Sequence, residues 1–276
     1  QYAYDHHHED ILPGGVTVYN AEEYELPEGG SYFGIKADEL AKSTGNARAA
    51  NMVTIGAVAQ LIDFKLEEID AFITQRFTRG RDGDAEIIEA NIKAVRLGVE
   101  VASTSGFKVG QLEPANAPDY KQIVITGNAA LSMGAVAAGL DFYAGYPISP
   151  ATTVLVWMEN NLWGEGRFVH QVASEIEAIN ALIGAGFAGK KAMTATAGPG
   201  FSLMSEGLGL AWMAEIPLVV TNVQRGGPAT GLPTKSEQSD LFTCMHPAHG
   251  DIKMPVLAPG TIEECFFAGA LATNWA

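Results

Sequence analysis

Apolar positions three and four apart dominate the first hundred residues of this chain. Short apolar runs separated by helix-length stretches dominate the rest. Near the start, Val16-Thr17-Val18-Tyr19 alternates behind the Gly14-Gly15 turn and predicts a strand. Ala37 to Ala41 predicts a short helix broken by Gly45-Asn46. Ala47 to Ile62 predicts a helix rich enough in small residues to be buried by close packing. Leu66, Ile69, Ile73 and Phe77 recur at helical spacing. After the loop Gly80-Arg81-Asp82-Gly83-Asp84, a helix from Ala85 to Val101 carries Ile88, Ile92, Val95 and Val99 along one stripe. From Ala102 to Lys121 the pattern dissolves into Ser, Gly, Pro, Ala and Asn. That is the composition of a linker, with a domain boundary near Pro114 to Pro118.

Beyond the boundary the rhythm changes. Gln122 to Thr126 predicts a short buried strand ending at Gly127-Asn128, followed by a small-residue helix from Ala129 to Gly139. Strands are then expected at Asp141 to Ala144, Phe168 to Val172, Ala192 to Thr196 and Leu218 to Val223. The helices Ala151 to Leu162, Ser174 to Ala188 and Phe201 to Met213 fall between them. Strands alternating with helices of this length predict an open, mostly parallel, doubly wound α/β sheet, preceded by a smaller α/β domain. The expected division is residues 1–113, a linker at 114–121, and residues 122–276.

Composition narrows the function classes. The 276 residues are long enough for two domains with real cores. A hydrophobic content of 47% and a charged content of 18% describe a soluble globular chain. The net charge of −15 argues against nucleic acid, whose phosphates require a basic face. Two cysteines, Cys244 and Cys265, are too few for a disulfide framework, a four-cysteine zinc site or a four-thiolate iron–sulfur cluster, and suit a reduced cytoplasmic compartment. No apolar run approaches the roughly 20 residues that cross a bilayer. The chain starts at Gln1 without a signal peptide and stops inside a helical pattern, the expectation for a fragment of a longer subunit.

Candidate chemistry gathers where apolar segments end. In an open α/β sheet those ends form the ligand crevice. Glu175 stands at a strand-to-helix junction within Ser174-x-x-Glu177, a capping-box spacing, and reads either as a first-turn acid or as a site carboxylate. Thr196-Ala197-Gly198-Pro199-Gly200 is a glycine turn without the endings of a P-loop or dinucleotide fingerprint, suited to close approach of a flat ring or to tight packing. Arg225, ahead of Gly226-Gly227-Pro228, reads equally as a salt bridge or as a clamp for carboxylate or phosphate; Thr230, Thr234 and Lys235 supply further donors nearby. His249 reads as a loop histidine in a structural hydrogen bond, His6-His7-His8 as a solvated loop, and Asp82-Gly83-Asp84 as a plain turn. No metal site is expected.

These residues carry a resemblance. Gly127-Asn128, Tyr146-Pro147-Ile148-Ser149-Pro150, Ser174-Glu175-Ile176-Glu177-Ala178-Ile179-Asn180, the run from Thr194 to Glu206 and the run from Val223 to Lys235 resemble the pyrimidine-binding α part of 2-oxoacid:ferredoxin oxidoreductases. The 2-oxoglutarate type is the most similar. Residues 10 to 100, with Gly45 to Met52, look like the C-terminal part of that family's γ unit, and γ before α resembles the fused large subunit.

The resemblance implies thiamine diphosphate as cofactor, held at its pyrimidine end by Tyr146, Pro147, Glu175, Gly198, Pro199 and Gly200. Glu175 would share a proton with the aminopyrimidine ring nitrogen, which readies the thiazolium carbon to attack the 2-oxo carbon. Ser149, Arg225, Thr230 and Thr234 would bind the 2-oxoacid; Ser149 replaces the Thr of the family's Tyr-Pro-Ile-Thr-Pro motif. The diphosphate and Mg2+ signature and the cluster cysteines are absent from this chain. By the resemblance they belong to a β subunit in an (αβ)2 assembly, which passes electrons to ferredoxin and the acyl group to coenzyme A. A transketolase- or decarboxylase-like thiamine component and a non-catalytic scaffold are the competing readings.

Overall fold

A computed structural model describes residues 2–112 and 119–276. The expected linker falls mostly at 113–118, outside the described residues. The chain divides into two compact units, one up to Asp119 and one from Tyr120. No helix among the described residues is long and apolar enough to cross a membrane.

The first unit contains helix α1 (Tyr2–His7), strands β1 (Thr17–Asn20) and β2 (Tyr32–Ile35), and helices α2 (Ala37–Ser43), α3 (Ala50–Leu61), α4 (Leu66–Phe77) and α5 (Asp84–Thr104). β1 and β2 pair in parallel, Thr17 opposite Tyr32 through Asn20 opposite Ile35. The histidine run is not the expected loop. His6 and His7 close α1, and His8 stacks on Tyr4, whose phenol bonds that of Tyr32 at 2.6 Å. α5 also turns a different face inward: Asn91, Ala94, Val95, Gly98 and Ala102 are buried, and of the expected stripe only Val95 is fully so. The cause is backbone proximity. A Cβ at Gly56 would collide with the Val95 carbonyl, and one at Gly98 with the Val53 carbonyl, so α3 and α5 pack through their smallest residues.

The second unit contains helix α6 (Gly127–Ala137), strand β3 (Phe142–Gly145), helix α7 (Thr152–Asn161), strand β4 (Phe168–Gln171), helix α8 (Glu175–Phe187) and strand β5 (Ala192–Thr196). Helices α9 (Gly198–Leu203) and α10 (Ser205–Met213), strand β6 (Val219–Asn222) and helices α11 (Leu241–Met245) and α12 (Ile262–Trp275) follow. The sheet is parallel throughout, in the order β4-β3-β5-β6. On one face α7 packs through Val154, Leu155 and Met158 with Tyr143 and Met193. On the other, α8 packs through Ala178, Ile179 and Leu182 with Ala144 and Ala192. α6 and α12 repeat the glycine device: a Cβ at Gly134 would strike the Phe266 carbonyl, and one at Gly269 the Leu131 carbonyl.

One expected strand is missing. Residues 121–126 belong to no strand, with Ile123 68% and Val124 107% exposed. An apolar run becomes a buried strand only where a neighbour offers a hydrogen-bonded edge, and among the described residues none reaches this one. The helix expected from Phe201 begins at Gly198 instead, with Pro199 in its first turn, and breaks at Met204.

Candidate active site

The strand order places a topological switch at β3. The chain leaves β3 through α7 to β4 on one side and returns through α8 to β5 on the other. At such a point the crossover helices diverge and a crevice opens at the carboxyl edge. Pairing of β3 with β5 stops at Tyr143 opposite Met193, although the strands run on to Gly145 and Thr196.

On the α8 side stands Glu175, the first helical residue. Ser174 caps the helix by accepting from the Glu177 N–H at 3.2 Å, while the Glu177 carboxylate accepts from the Ala173 N–H at 2.7 Å. These bonds satisfy helix-end donors and leave Glu175 to face the crevice. Glu175 is 5% exposed, and its carboxylate has no hydrogen bond from any described residue. Its oxygens are not among the fully buried polar atoms that lack a partner, so they open to the crevice, where a donor from outside the chain can reach them. Gly200 is packed against it: a Cβ there would stand 2.5 Å from Glu175 Oε1 and would collide with Thr196 Oγ1. Glu175, Thr196 and Gly200 therefore share one small space, and Gly198 and Pro199 begin the helix beside it.

On the α7 side stands Arg225, 6% exposed. Its Nη1 donates to the Ser149 carbonyl at 2.7 Å and its Nη2 to the Thr230 carbonyl at 2.5 Å. Its Nε is buried without a partner, and no ion pair among the described residues includes it. The guanidinium thus ties the Tyr146–Pro150 loop to the loop after β6 and keeps an unneutralised charge. That second loop folds back on itself, the Leu232 N–H donating to the Gly226 carbonyl at 2.7 Å and the Gly227 N–H to Glu237 Oε2 at 3.2 Å. Gly231 has φ +67°, and a Cβ there would collide with the Gly226 carbonyl. Ser149, Thr230 and Thr234 are exposed, as are Tyr146 and Pro147; Thr234 makes no bond to the guanidinium. Two groups therefore form, Glu175–Thr196–Gly200 and Arg225–Ser149–Thr230, one on each flank of the switch.

Pattern reading did not single out Asn222 and Asp240. The Asn222 amide donates to Asp240 Oδ2 at 3.2 Å, and the Gln224 side chain accepts from the Asp240 N–H at 2.9 Å. The Asp240 carboxylate lies against Gly198, where a Cβ would be 2.8 Å from Oδ2. Asp240 precedes the apolar Leu241-Phe242 as a helix cap would, yet it makes no side-chain cap bond. A capping residue turned away from its helix was the available signal. Asn222 also donates to Cys244 Sγ at 3.4 Å; burial raises the Cys244 thiol above its ordinary range, the Asn222 bond opposing and the Asp240 charge adding to the shift. His249 is exposed and, against expectation, hydrogen-bonded to nothing among the described residues. Beside β6 lies a cavity of about 770 Å³ walled by α10, residues 253–257 and α12.

Comparison with known proteins adds relationship to geometry. Residues 133–276 match the family described as pyruvate flavodoxin/ferredoxin oxidoreductase, thiamine diP-binding, and residues 1–101 match pyruvate ferredoxin/flavodoxin oxidoreductase. The chain is 47% identical over 150 residues to 2-oxoglutarate synthase subunit KorA of Methanocaldococcus jannaschii, which spans 54% of this chain and 41% of that protein. It is 38% identical over 239 residues to 2-oxoglutarate oxidoreductase subunit KorA of Mycobacterium tuberculosis, spanning 84% of this chain and 36% of that one. Among solved structures, 2-oxoglutarate:ferredoxin oxidoreductase from Magnetococcus marinus, with 2-oxoglutarate, coenzyme A and succinyl-CoA bound, superposes with a TM-score of 0.81 at 36% identity. That match covers 99% of this chain and 48% of the other. The chain thus spans about two fifths of the length of the curated relatives it matches.

Proposed function

Because the chain belongs to the pyruvate flavodoxin/ferredoxin oxidoreductase family, we propose that it is the α part, with γ-type residues ahead of it, of a thiamine-diphosphate-dependent 2-oxoacid:ferredoxin oxidoreductase acting on 2-oxoglutarate. The observation that carries this reading is Glu175, a largely buried residue whose carboxylate has no partner among the described residues and opens to the crevice beside the bare Cα of Gly200. A ring nitrogen carrying a proton would satisfy that carboxylate, and the missing Cβ at Gly200 lets Glu175 and Thr196 take their places at the helix start. These residues fit the pyrimidine end of the cofactor.

Glu175, Gly198, Pro199 and Gly200 would hold the ring, with Tyr146 and Pro147 as its neighbours from the end of β3. Glu175 would hold and return a proton at the ring nitrogen. When bound, thiamine diphosphate supplies the nucleophilic carbon and the electron sink for decarboxylating a 2-oxoacid. Arg225 supplies positive charge for a substrate carboxylate: its Nε and one N–H on each Nη remain after the two carbonyl bonds. The hydroxyls of Ser149, Thr230 and Thr234 are the accompanying donors.

The rest of the reaction belongs to a partner. Among the described residues no group of three or more His, Cys, Asp or Glu is placed to hold a metal. We assign Mg2+ with the diphosphate, and the iron–sulfur cluster, to a β subunit in a cytoplasmic (αβ)2 complex. That complex would deliver the acyl group to coenzyme A and electrons to ferredoxin.

The test is 2-oxoglutarate-dependent reduction of ferredoxin or a low-potential dye, with coenzyme A and thiamine diphosphate, by the whole subunit coexpressed with its β partner. We expect activity with 2-oxoglutarate and a loss of at least about 100-fold in Glu175→Ala, the scale of a removed proton-transfer group. Activity with pyruvate alone would overturn the substrate. A complex loaded with cofactor and cluster that reduces nothing with any 2-oxoacid would overturn the enzyme.

A further inference from the structure

From Arg225 to Asp240 the chain forms no helix or strand, and it carries the exposed Thr230 and Thr234. A loop of this length inside an ordered unit is usually functional. This one closes on itself. The Gly226 N–H donates to the Lys235 carbonyl at 2.9 Å and the Lys235 N–H to the Leu232 carbonyl at 3.0 Å, while Arg225 Nη2 reaches the Thr230 carbonyl. Such bonds run from loop to loop, so they fix its shape and not its place.

Its place is set at the ends. At the first, Arg225 Nη1 donates to the Ser149 carbonyl at 2.7 Å. At the second, the Asp240 N–H donates to Gln224 Oε1 at 2.9 Å, which shuts the 16-residue step between the two. The Asp240 carboxylate accepts from the Asn222 amide of β6 at 3.2 Å. It also stands against Gly198, the first residue of α9, where a Cβ would be 2.8 Å from Oδ2. Two residues further on, Gly200 borders Glu175 and Thr196. Asp240 is thus where the substrate flank meets the cofactor flank. Its half-buried carboxylate neither caps α11 nor pairs with a cation among the described residues. What it does is hold a location.

We propose that Gln224 and Asp240 are positioning residues for the 2-oxoacid, latching the 225–240 loop to β6 and to the start of α9. The latch sets the placement of Arg225 and Thr230 relative to the groups around Glu175. The inference rests on the 2-oxoacid reading given above and concerns residues that do not themselves touch substrate.

The experiment uses the assembled complex and two variants. Gln224→Met keeps the length of the side chain and removes the acceptor. Asp240→Asn keeps both the N–H and an oxygen for Asn222. Gln224→Met is expected to raise KM for the 2-oxoacid about 3- to 10-fold, the equivalent of one hydrogen bond, with kcat within about twofold. Hydrogen exchange across 226–240 should quicken by a similar factor, while the calorimetric Kd for thiamine diphosphate and the thermal midpoint stay at wild-type values. Asp240→Asn should match the wild type in both KM and kcat. An unchanged KM or unchanged exchange in Gln224→Met overturns the proposal. So does a joint rise of KM and Kd with a fallen midpoint, which reports general loosening. A kcat loss in Asp240→Asn overturns it as well, since the carboxylate would then be reacting rather than positioning. A wild-type complex that turns over no 2-oxoacid removes the parent reading, and this one with it.

Discussion

Arg225 carries a full charge in a place where water hardly reaches it, with two backbone carbonyls for company and no carboxylate. Carbonyl dipoles offset part of the desolvation, but a buried cation without a counter-ion invites an anion. Arg225→Lys keeps the charge and loses the fork, so it cannot hold Ser149 and Thr230 while also meeting a carboxylate. KM for the 2-oxoacid should rise about 10- to 100-fold in steady-state assays, the scale of a lost charged hydrogen bond, with a smaller change in kcat. An unchanged KM would return Arg225 to a purely structural clamp. At this scale legibility followed local signals. Glu175 was visible because Ser174 and Glu177 mark the helix start around it. The Asn222–Asp240 contact was not, because an 18-residue separation has no period to betray it.

The elements tell a different story about small residues. Two helix pairs, α3 with α5 and α6 with α12, meet at glycines whose absent Cβ atoms would fall on the partner's backbone. Helix propensity alone would favour alanine at Gly134 by about 1 kcal/mol. Overpacking against the Phe266 carbonyl outweighs that gain, so Gly134→Ala should destabilise by a net amount of about 1–2 kcal/mol in urea unfolding. Gly184 in α8 is the counter-case: nothing lies within 4 Å of its missing Cβ, and Gly184→Ala should stabilise by about 0.5–1 kcal/mol. Opposite signs are the expected result, and equal signs would remove the packing argument. The strands β3 to β6 were readable because each is a short run that opens on apolar residues and lies between helices. The inward face of α5 was not, since Ala94, Gly98 and Ala102 give weak hydrophobic contrast and are selected by how closely α3 approaches. β2 also went unread, its Tyr-Phe-Gly-Ile run lacking the alternation that marked β1.

For the molecule as a whole, both flanks of the candidate site lie in the second unit, and the chain carries a net charge of −15. Mutual repulsion between copies is therefore strong at low salt and is screened within about 10 Å at 0.1 M ionic strength. β6 is the last strand on its side of the sheet; it is half-buried and pairs with β5 alone among the described residues. The Val223 N–H donates to the Thr196 carbonyl, so the alternate residues Val220 and Asn222 turn their backbone groups away from β5, and both residues line the cavity of about 770 Å³. A strand edge beside an apolar hollow is a template for another strand. Charge keeps copies apart while the edge would join them, so ionic strength sets the balance. Light scattering of the isolated chain should report larger species at 0.5 M salt (roughly a 4 Å screening length) than at 10 mM (about 30 Å). A single size at both would show the edge to be inert. For anyone producing this chain by itself, β6 makes aggregation a property of the buffer as much as of the sequence.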